Sequence, residues 1–198
     1  MHGQGQANTV GGDGQRRTEA PTGDDPPDRY TYDPRHPVPS LGGAMLRPDA
    51  GVARQTAVEA RADVPVYSTP SLMQPMAETG PVSLTLHVAT SAPATDFTAK
   101  PVDVHPDGTA YNLSKGILRR SYGPGGLPFT VSLWPTSNLV RAGHRLRLEL
   151  SSRNYPRLDR HPNTVRSPER KTRPIMAGQV NHHDQAWPSP LLLPIIPR

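Results

Sequence analysis

Short segments with alternating apolar and polar residues dominate the chain from about residue 64 onward. Residues 82–88 alternate strictly, so Val82, Leu84, Leu86 and Val88 share one face of a half-buried strand. Further stretches that predict strands are Val64–Ser68, Phe97–Val104, Phe129–Trp134, Leu146–Leu150 and Leu191–Ile196. Turn residues separate them and no long helical period occurs, so the predicted fold class is all-β, an antiparallel sandwich.

Two of these strands carry more detailed predictions. In 146–150 the leucines are expected to face inward and Arg147 to face solvent, so that Arg147→Ala costs under about 0.5 kcal/mol. Pro135 is expected to end the preceding strand. Trp134 is then expected to cap the core, or to lie in a loop that shapes a contact with a neighbouring domain.

Residues 1–63 differ from the rest because Gly, Pro, Asp and Thr are frequent and no strand alternation is evident. Proline spacing in 32–39 favours extended or turn geometry. The predicted organisation is therefore an N-terminal arm, residues 1–63, that wraps a surface or stays disordered and includes the first strand of the sandwich. Residues 64–198 form the β-sandwich itself.

Composition narrows the class of protein. The chain has 198 residues with 25 Pro and 17 Gly, which argues against a helical bundle. It has no cysteine, so it forms no disulfide, and no apolar run long enough for a membrane span. Its N-terminus lacks the pattern of a secretory signal, which leaves a cytoplasmic protein as the expectation. The net charge of +5 is scattered along the chain rather than clustered, so nucleic-acid binding is not predicted.

Candidate chemistry is sparse. There is no Gly-x-Ser-x-Gly elbow and no phosphate-binding glycine loop. Adjacent histidines in Asn181–Asp184 would point to opposite faces, so a strand boundary is favoured over a metal site. His105–Gly108 is interpreted as a tight turn, and Asp96 and Asp103 are expected on opposite faces of their strand. The sequence therefore predicts no catalytic, cofactor-binding or metal-binding residue and no cofactor.

Three stretches, in order, carry a family resemblance. They are residues 30–43 (YTYDPRHPVPSLGG), residues 80–108, and residues 133–138 with 142–152 and 154–160. Together with the ending at 183–197 they resemble the C-terminal domain of Xaa-Pro dipeptidyl-peptidases and cocaine-esterase-like hydrolases. The resemblance covers nearly the whole chain.

This resemblance implies a jelly-roll sandwich of the galactose-binding-like kind that accompanies an α/β-hydrolase domain. In that family the Ser–Asp–His triad lies in the hydrolase part. The resemblance also implies that Met1–Gly3 is the first strand of the C-terminal domain, so the catalytic part is expected to be absent from this chain. The implied function is a noncatalytic domain of a serine hydrolase, with an α/β-hydrolase domain of the same or a separate chain as partner. The alternative is a stand-alone carbohydrate- or protein-binding module. Sugar binding would need exposed aromatic side chains, whereas the two Trp and two Phe are expected in the core.

The chain departs from the family pattern at two places. Pro101 stands where the family usually has an aliphatic residue, so the strand is expected to lose a ladder hydrogen bond and bend there. Residues 165–176 match the family poorly and are basic.

Overall fold

The computed structural model describes residues 1–121, 127–152, 155–156, 159–165 and 173–197. Within them lie ten strands and one short helix. The strands are β1 (Asp28–Tyr32), β2 (Val66–Ser68), β3 (Met76–Thr90), β4 (Ala94–Val104), β5 (Ala110–Asn112), β6 (Gly116–Ser121), β7 (Leu127–Val140), β8 (Arg145–Ser151), β9 (Ala177–His182) and β10 (Leu191–Leu192). The helix is α1 (Thr56–Glu59). No helix among the described residues is long and apolar enough to cross a membrane.

The strands form two five-stranded antiparallel sheets. In the first sheet β1 pairs with β9, and both β9 and β10 pair with β3 along one of its sides. Strand β7 pairs along the opposite side of β3. The second has the order β2-β8-β4-β5, with β6 also beside β4. The predicted all-β sandwich is thus confirmed.

The main core lies between the sheets. Val82, Leu84, Leu86 and Val88 of β3 are all buried in it, which confirms the predicted inward face. The core also contains Leu148 and Leu150 of β8, and the rings of Phe97 and Phe129 lie 5.9 Å apart within it. Alternation of period two is what brings these side chains to one side of each sheet.

Strand β7 contradicts both predictions made for its middle. It continues through Pro135, which pairs in register with Pro81, and Trp134 is 59% exposed rather than capping the core. The pairing shifts between Pro81 and Ser83, so two residues of β7, Leu133 and Trp134, oppose a single residue of β3. This bulge gives Trp134 a φ of 70° and turns its side chain outward. Pro135 is tolerated because β7 is an edge strand.

Pro101 does not interrupt β4, so that prediction is also wrong. Its carbonyl accepts a hydrogen bond from the Leu113 amide (2.9 Å), on the side of β4 where β5 and β6 pair. β5 pairs with residues 102–104 and β6 with residues 94–99, so Pro101 lies opposite the gap between them. The missing N–H falls where no ladder hydrogen bond is needed.

The N-terminal arm is ordered and contributes to the interior. Met1 and Ala7 belong to the main core, and Val38 and Val58 form a smaller cluster with Val64 and Val66. The first strand of the chain is β1, not Met1–Gly3, where His2 makes only an isolated bridge to Gln15. The division at residue 63 stays a prediction. Most of the poorly matched stretch 165–176 lies outside the described residues.

Candidate docking surface

The outer face of the second sheet carries charged side chains that are buried, contrary to the prediction of a solvent-exposed Arg147. Arg147 is 7% exposed and Glu149 is 3% exposed. Arg147 Nη1 lies 2.6 Å from Glu59 Oε2, so the pair joins β8 to helix α1 of the arm. The arm covers this face, and alternation within β8 could not reveal that cover.

A second buried pair lies beside the first. Lys100 Nζ of β4 donates to Glu149 Oε2 and to Gln55 Oε1, both at 2.6 Å. Gln55 immediately precedes α1, so this contact also ties the arm to the sheet. Paired buried charges fix the position of a covering segment even where they contribute little net stability.

The pKa of Glu59 is raised to about 7, chiefly by burial and also by the nearby Glu149 carboxylate. The Arg147 guanidinium lowers this pKa but does not compensate for the loss of hydration. The junction between arm and sheet therefore contains a carboxyl group that titrates near neutral pH.

Next to this junction the arm forms a closed loop, residues 43–51, which we name the docking loop. Gly43 and Gly51 exchange backbone hydrogen bonds of 2.5 and 2.9 Å at its base. Gly42, Gly43 and Gly51 have φ values of +60°, +87° and +88°, a region that glycine adopts readily. A Cβ on Gly42 would lie 2.4 Å from the Gly51 carbonyl oxygen, so this position excludes any larger residue.

Two buried polar side chains hold the base of the docking loop, one from β5 (Asn112) and one from the connection between β5 and β6 (Lys115). The Lys115 ammonium donates to the Gly42 carbonyl (2.7 Å) and to the Ser40 hydroxyl. Asn112 donates to the Gly51 carbonyl (3.2 Å) and accepts from the Ala53 amide (2.8 Å). Because both side chains are almost fully buried, the base of the loop is fixed by the sheet rather than by solvent.

The tip of the docking loop projects into solvent. Leu46 is fully exposed and Val52, just after the loop, is 74% exposed. Beside Leu46, Arg47 and Asp49 form an exposed ion pair of 2.8 Å. The tip of the loop therefore presents an exposed apolar side chain and an exposed ion pair on a base that buried side chains hold in place.

The Asn181–Asp184 segment lies at the end of a strand, as predicted. β9 ends at His182, and the buried His183 places Nε2 2.9 Å from Asp28 Oδ2. The same carboxylate oxygen accepts the Tyr67 hydroxyl at 2.5 Å, while Asp28 Oδ1 accepts the Ala7 amide at 2.7 Å. Burial and this carboxylate raise the pKa of Tyr67 well above its usual value.

The other sequence candidates are separate from one another. Asp96 pairs with Arg119 (2.8 Å), whereas Asp103 binds His144 (2.8 Å), so no paired-carboxylate site forms. His105–Gly108 is the expected turn, closed by a 2.9 Å hydrogen bond from the Gly108 amide to the His105 carbonyl.

Sequence reasoning missed the support of the docking loop by Lys115 and Asn112. The only available signal was the Gly42-Gly43 pair within the resemblance stretch, which marks a turn but not its buried partners.

Both tryptophans contradict their expected burial. Trp134 is 59% exposed and Trp187 is 50% exposed, while the two phenylalanines do lie in the core. The Trp187 ring lies 5.6 Å from the ring of His87, which β3 directs away from the core. Leu192 is also exposed and pairs with Ser83 on the same outer face of the first sheet.

The two sheets, together with the arm that covers one of them, define an antiparallel β-sandwich domain. The family model of the X-Pro dipeptidyl-peptidase C-terminal non-catalytic domain matches residues 3–192. The chain therefore belongs to this family and is a non-catalytic C-terminal domain of its hydrolases.

The relatives that the chain matches are longer proteins. It is 41% identical over 213 residues to a cocaine esterase from Rhodococcus sp. (strain MB1 Bresler), covering 100% of this chain and 37% of the esterase. It is similar to an aminopeptidase from a marine sediment Thaumarchaeota archaeon, with a TM-score of 0.80, 25% identity, and cover of 96% of this chain and 36% of the other. An α-amino acid ester hydrolase has the same TM-score of 0.80 at 22% identity, with 98% and 36% covered. The chain thus spans about a third of the length of these relatives.

Proposed function

We propose that this domain packs against an α/β-hydrolase domain and that the docking loop forms part of the contact. The observation that carries the proposal is a fully exposed Leu46 at the tip of a loop whose base is held by buried Lys115 and Asn112. The partner is the kind of domain that accompanies this one in relatives that are about three times longer.

The physics of association favours such a loop. A loop whose base is already held in place loses little backbone conformational entropy when a partner covers it, so more of the gain from burial remains as binding free energy. Complete burial of a leucine side chain is worth about 1.5–3 kcal/mol. The adjacent Arg47–Asp49 pair supplies the polar rim that usually surrounds an apolar contact.

The proposed topology is a jelly roll of the galactose-binding-like kind, in which one sheet is covered by the arm and the docking loop extends from that cover. In this arrangement the chain supplies no nucleophile, and ester or peptide hydrolysis belongs to the partner domain. The chain would stabilise the hydrolase domain by packing against it.

The test is a binding titration with the separately produced hydrolase part of the Rhodococcus cocaine esterase. We expect a complex with the wild-type chain and binding at least about tenfold weaker for Leu46→Asp, since a buried charge without a partner is costly. Met73→Asp is the matched control, because Met73 is 91% exposed but lies outside the docking loop. Equal effects of the two substitutions would contradict the role of the loop, and absence of any complex would contradict the partner.

A carbohydrate-binding module remains the second candidate, because both tryptophans are exposed. Exposed indole rings provide the apolar platform on which sugar rings stack. A titration with oligosaccharides separates the two functions. Binding would be detected by tryptophan fluorescence in the wild type, in Trp134→Ala and in Trp187→Ala. Saturable quenching that is lost in either variant would favour sugar binding.

A further inference from the structure

Two histidines and an aspartate converge at one end of the second sheet, where β4 ends and β8 begins. Asp103 is near the end of β4, His105 follows that strand, and His144 immediately precedes β8. His144 Nδ1 lies 2.8 Å from Asp103 Oδ1, and His105 Nε2 lies 3.8 Å from Asp103 Oδ2. One ligand atom from each residue falls within 4.8 Å of the others.

Strand geometry explains the convergence. Positions two apart on a strand point to the same side, so Asp103 and His105 share a side, and pairing of Asp103 with Leu146 brings the start of β8 alongside. Sequence inspection pointed to the turn at His105 but could not anticipate His144, which is far away along the chain.

Asp103 is held within β4, and backbone hydrogen bonds hold the two histidines in place. The His105 amide donates to the Thr109 carbonyl at 2.8 Å, and the His144 carbonyl accepts from the Leu72 amide at 2.8 Å. The His105 ring also lies 5.1 Å from the ring of Tyr111 and 4.5 Å from that of His144. The cluster is therefore preorganised, and it is open to solvent on one side because the His105 side chain is 41% exposed.

The surrounding charges are compatible with a cation. Arg145, the nearest arginine along β8, directs its guanidinium to the Thr69 carbonyl at 3.3 Å. Glu78 is close enough for Asp103 to help raise its pKa, so a second carboxyl group faces this end of the sandwich, although Arg16 offsets it.

We propose that Asp103, His105 and His144 bind a divalent transition-metal ion, with Zn²⁺ as the natural occupant. Two imidazoles and one carboxylate form a donor set that Zn²⁺, Ni²⁺ and Co²⁺ accept. Zn–N and Zn–O bonds are about 2.0–2.2 Å, so ligand atoms around one ion lie roughly 3.3–3.5 Å apart, and small side-chain rotations bring the three atoms to that spacing. With three protein ligands, water or a group from a neighbouring domain completes the coordination.

The test uses the tag-free chain and Zn²⁺ alone, by isothermal titration calorimetry at pH 7.5. We expect one ion per chain, and binding weakened by about tenfold or more in Asp103→Asn and in His144→Gln. The wild type is expected to bind less tightly at pH 5.5, because the imidazoles must be neutral to coordinate. Substituted Co²⁺ should give visible absorption bands that both variants lose.

Two further variants guard against misfolding and non-specific binding. His105→Gln tests a partly exposed ligand whose replacement leaves the Asp103–His144 hydrogen bond intact, and it should weaken binding with an unchanged circular dichroism spectrum. His36→Gln, a solvent-exposed histidine paired with Asp33, should bind like the wild type. Absence of stoichiometric binding by the wild type, or equal affinity in His105→Gln and His36→Gln, would overturn the proposal.

Discussion

Arg147 illustrates how one covered side chain changes the expected effect of a mutation. Alternation in β8 places it opposite the core leucines, yet the arm buries it against Glu59 at 2.6 Å. Removal of one member of a buried ion pair leaves the other charge without compensation, at a cost of about 3–5 kcal/mol. We therefore expect Arg147→Ala to lower the free energy of unfolding by that amount at pH 8, where Glu59 is ionised, measured by urea denaturation.

The control for this prediction lies on the same strand. Arg145 is exposed, and Arg145→Ala should change the free energy of unfolding by less than about 0.5 kcal/mol. Similar small effects of both substitutions would mean that the arm does not cover the sheet in solution.

The raised pKa of Glu59 implies that the stability of the fold depends on pH. Its pKa is raised in the folded state, to about 7, above the ordinary value of 4.5. The folded chain thus binds more protons than the unfolded chain between these values, so the contribution of Glu59 is fully present below pH 4.5 and is lost as pH rises through 7.

Comparison with Glu59→Gln isolates this contribution, because Glu78 also has a raised pKa in the wild type. Between pH 5 and pH 8 the melting temperature of the wild type should fall relative to that of Glu59→Gln. A difference that stays constant with pH, or that changes in favour of the wild type, would show that Glu59 is ionised in the folded state throughout this range.

At the scale of elements, the docking loop depends on glycine at Gly42 for close packing. A Cβ there would lie 2.4 Å from the Gly51 carbonyl oxygen and 2.7 Å from Ala53 Cβ, whereas a Cβ on Gly51 meets nothing within 4 Å. We expect Gly51→Ala to cost about 1–2 kcal/mol through its positive φ alone, and Gly42→Ala to cost more, measured by urea denaturation.

The comparison is discriminating because backbone strain alone predicts the reverse order. Gly51 has a φ of +88° and Gly42 a φ of +60°, close to the left-handed region that other residues sometimes adopt. A larger cost for Gly51→Ala would mean that the base of the loop is not packed as described.

Elements with strict alternation were predictable and elements without it were not. Residues 82–88 and 146–150 gave the inward faces of β3 and β8, because a period of two maps directly onto a half-buried strand. Strands β1, β5, β6 and β9 were not predicted. β1 lies in the arm, which is rich in Pro and Gly, β5 is only three residues long, and β6 and β9 contain Gly116 and Gly178 without an evident apolar face. The predictions for Pro101 and Pro135 were wrong because the cost of a proline in a strand depends on whether a neighbouring strand would accept a hydrogen bond from that position. Strand order in the sheet determines this, and local sequence does not show it.

At the scale of the whole molecule, the family resemblance supplied what periodicity could not. Residues 30–43 show no regular alternation, but they pointed to an accessory domain of a hydrolase, and the family match over residues 3–192 confirms this. The support of the docking loop and the Asp103–His105–His144 cluster depend on residues far apart in sequence. No local pattern encodes such contacts, so they emerge only from the fold.

Amide hydrogen exchange can detect the proposed contact between residues 43–51 of this domain and a hydrolase domain. Exchange would be measured for the chain alone and with an excess of the hydrolase part of the Rhodococcus cocaine esterase. We predict that peptides covering 43–51 become protected, while exchange in peptides covering residues 83–87 of β3 and 130–134 of β7 in the first sheet does not change. If a complex forms and protection is confined to β3 and β7, or is absent from the docking loop, the proposed contact is contradicted.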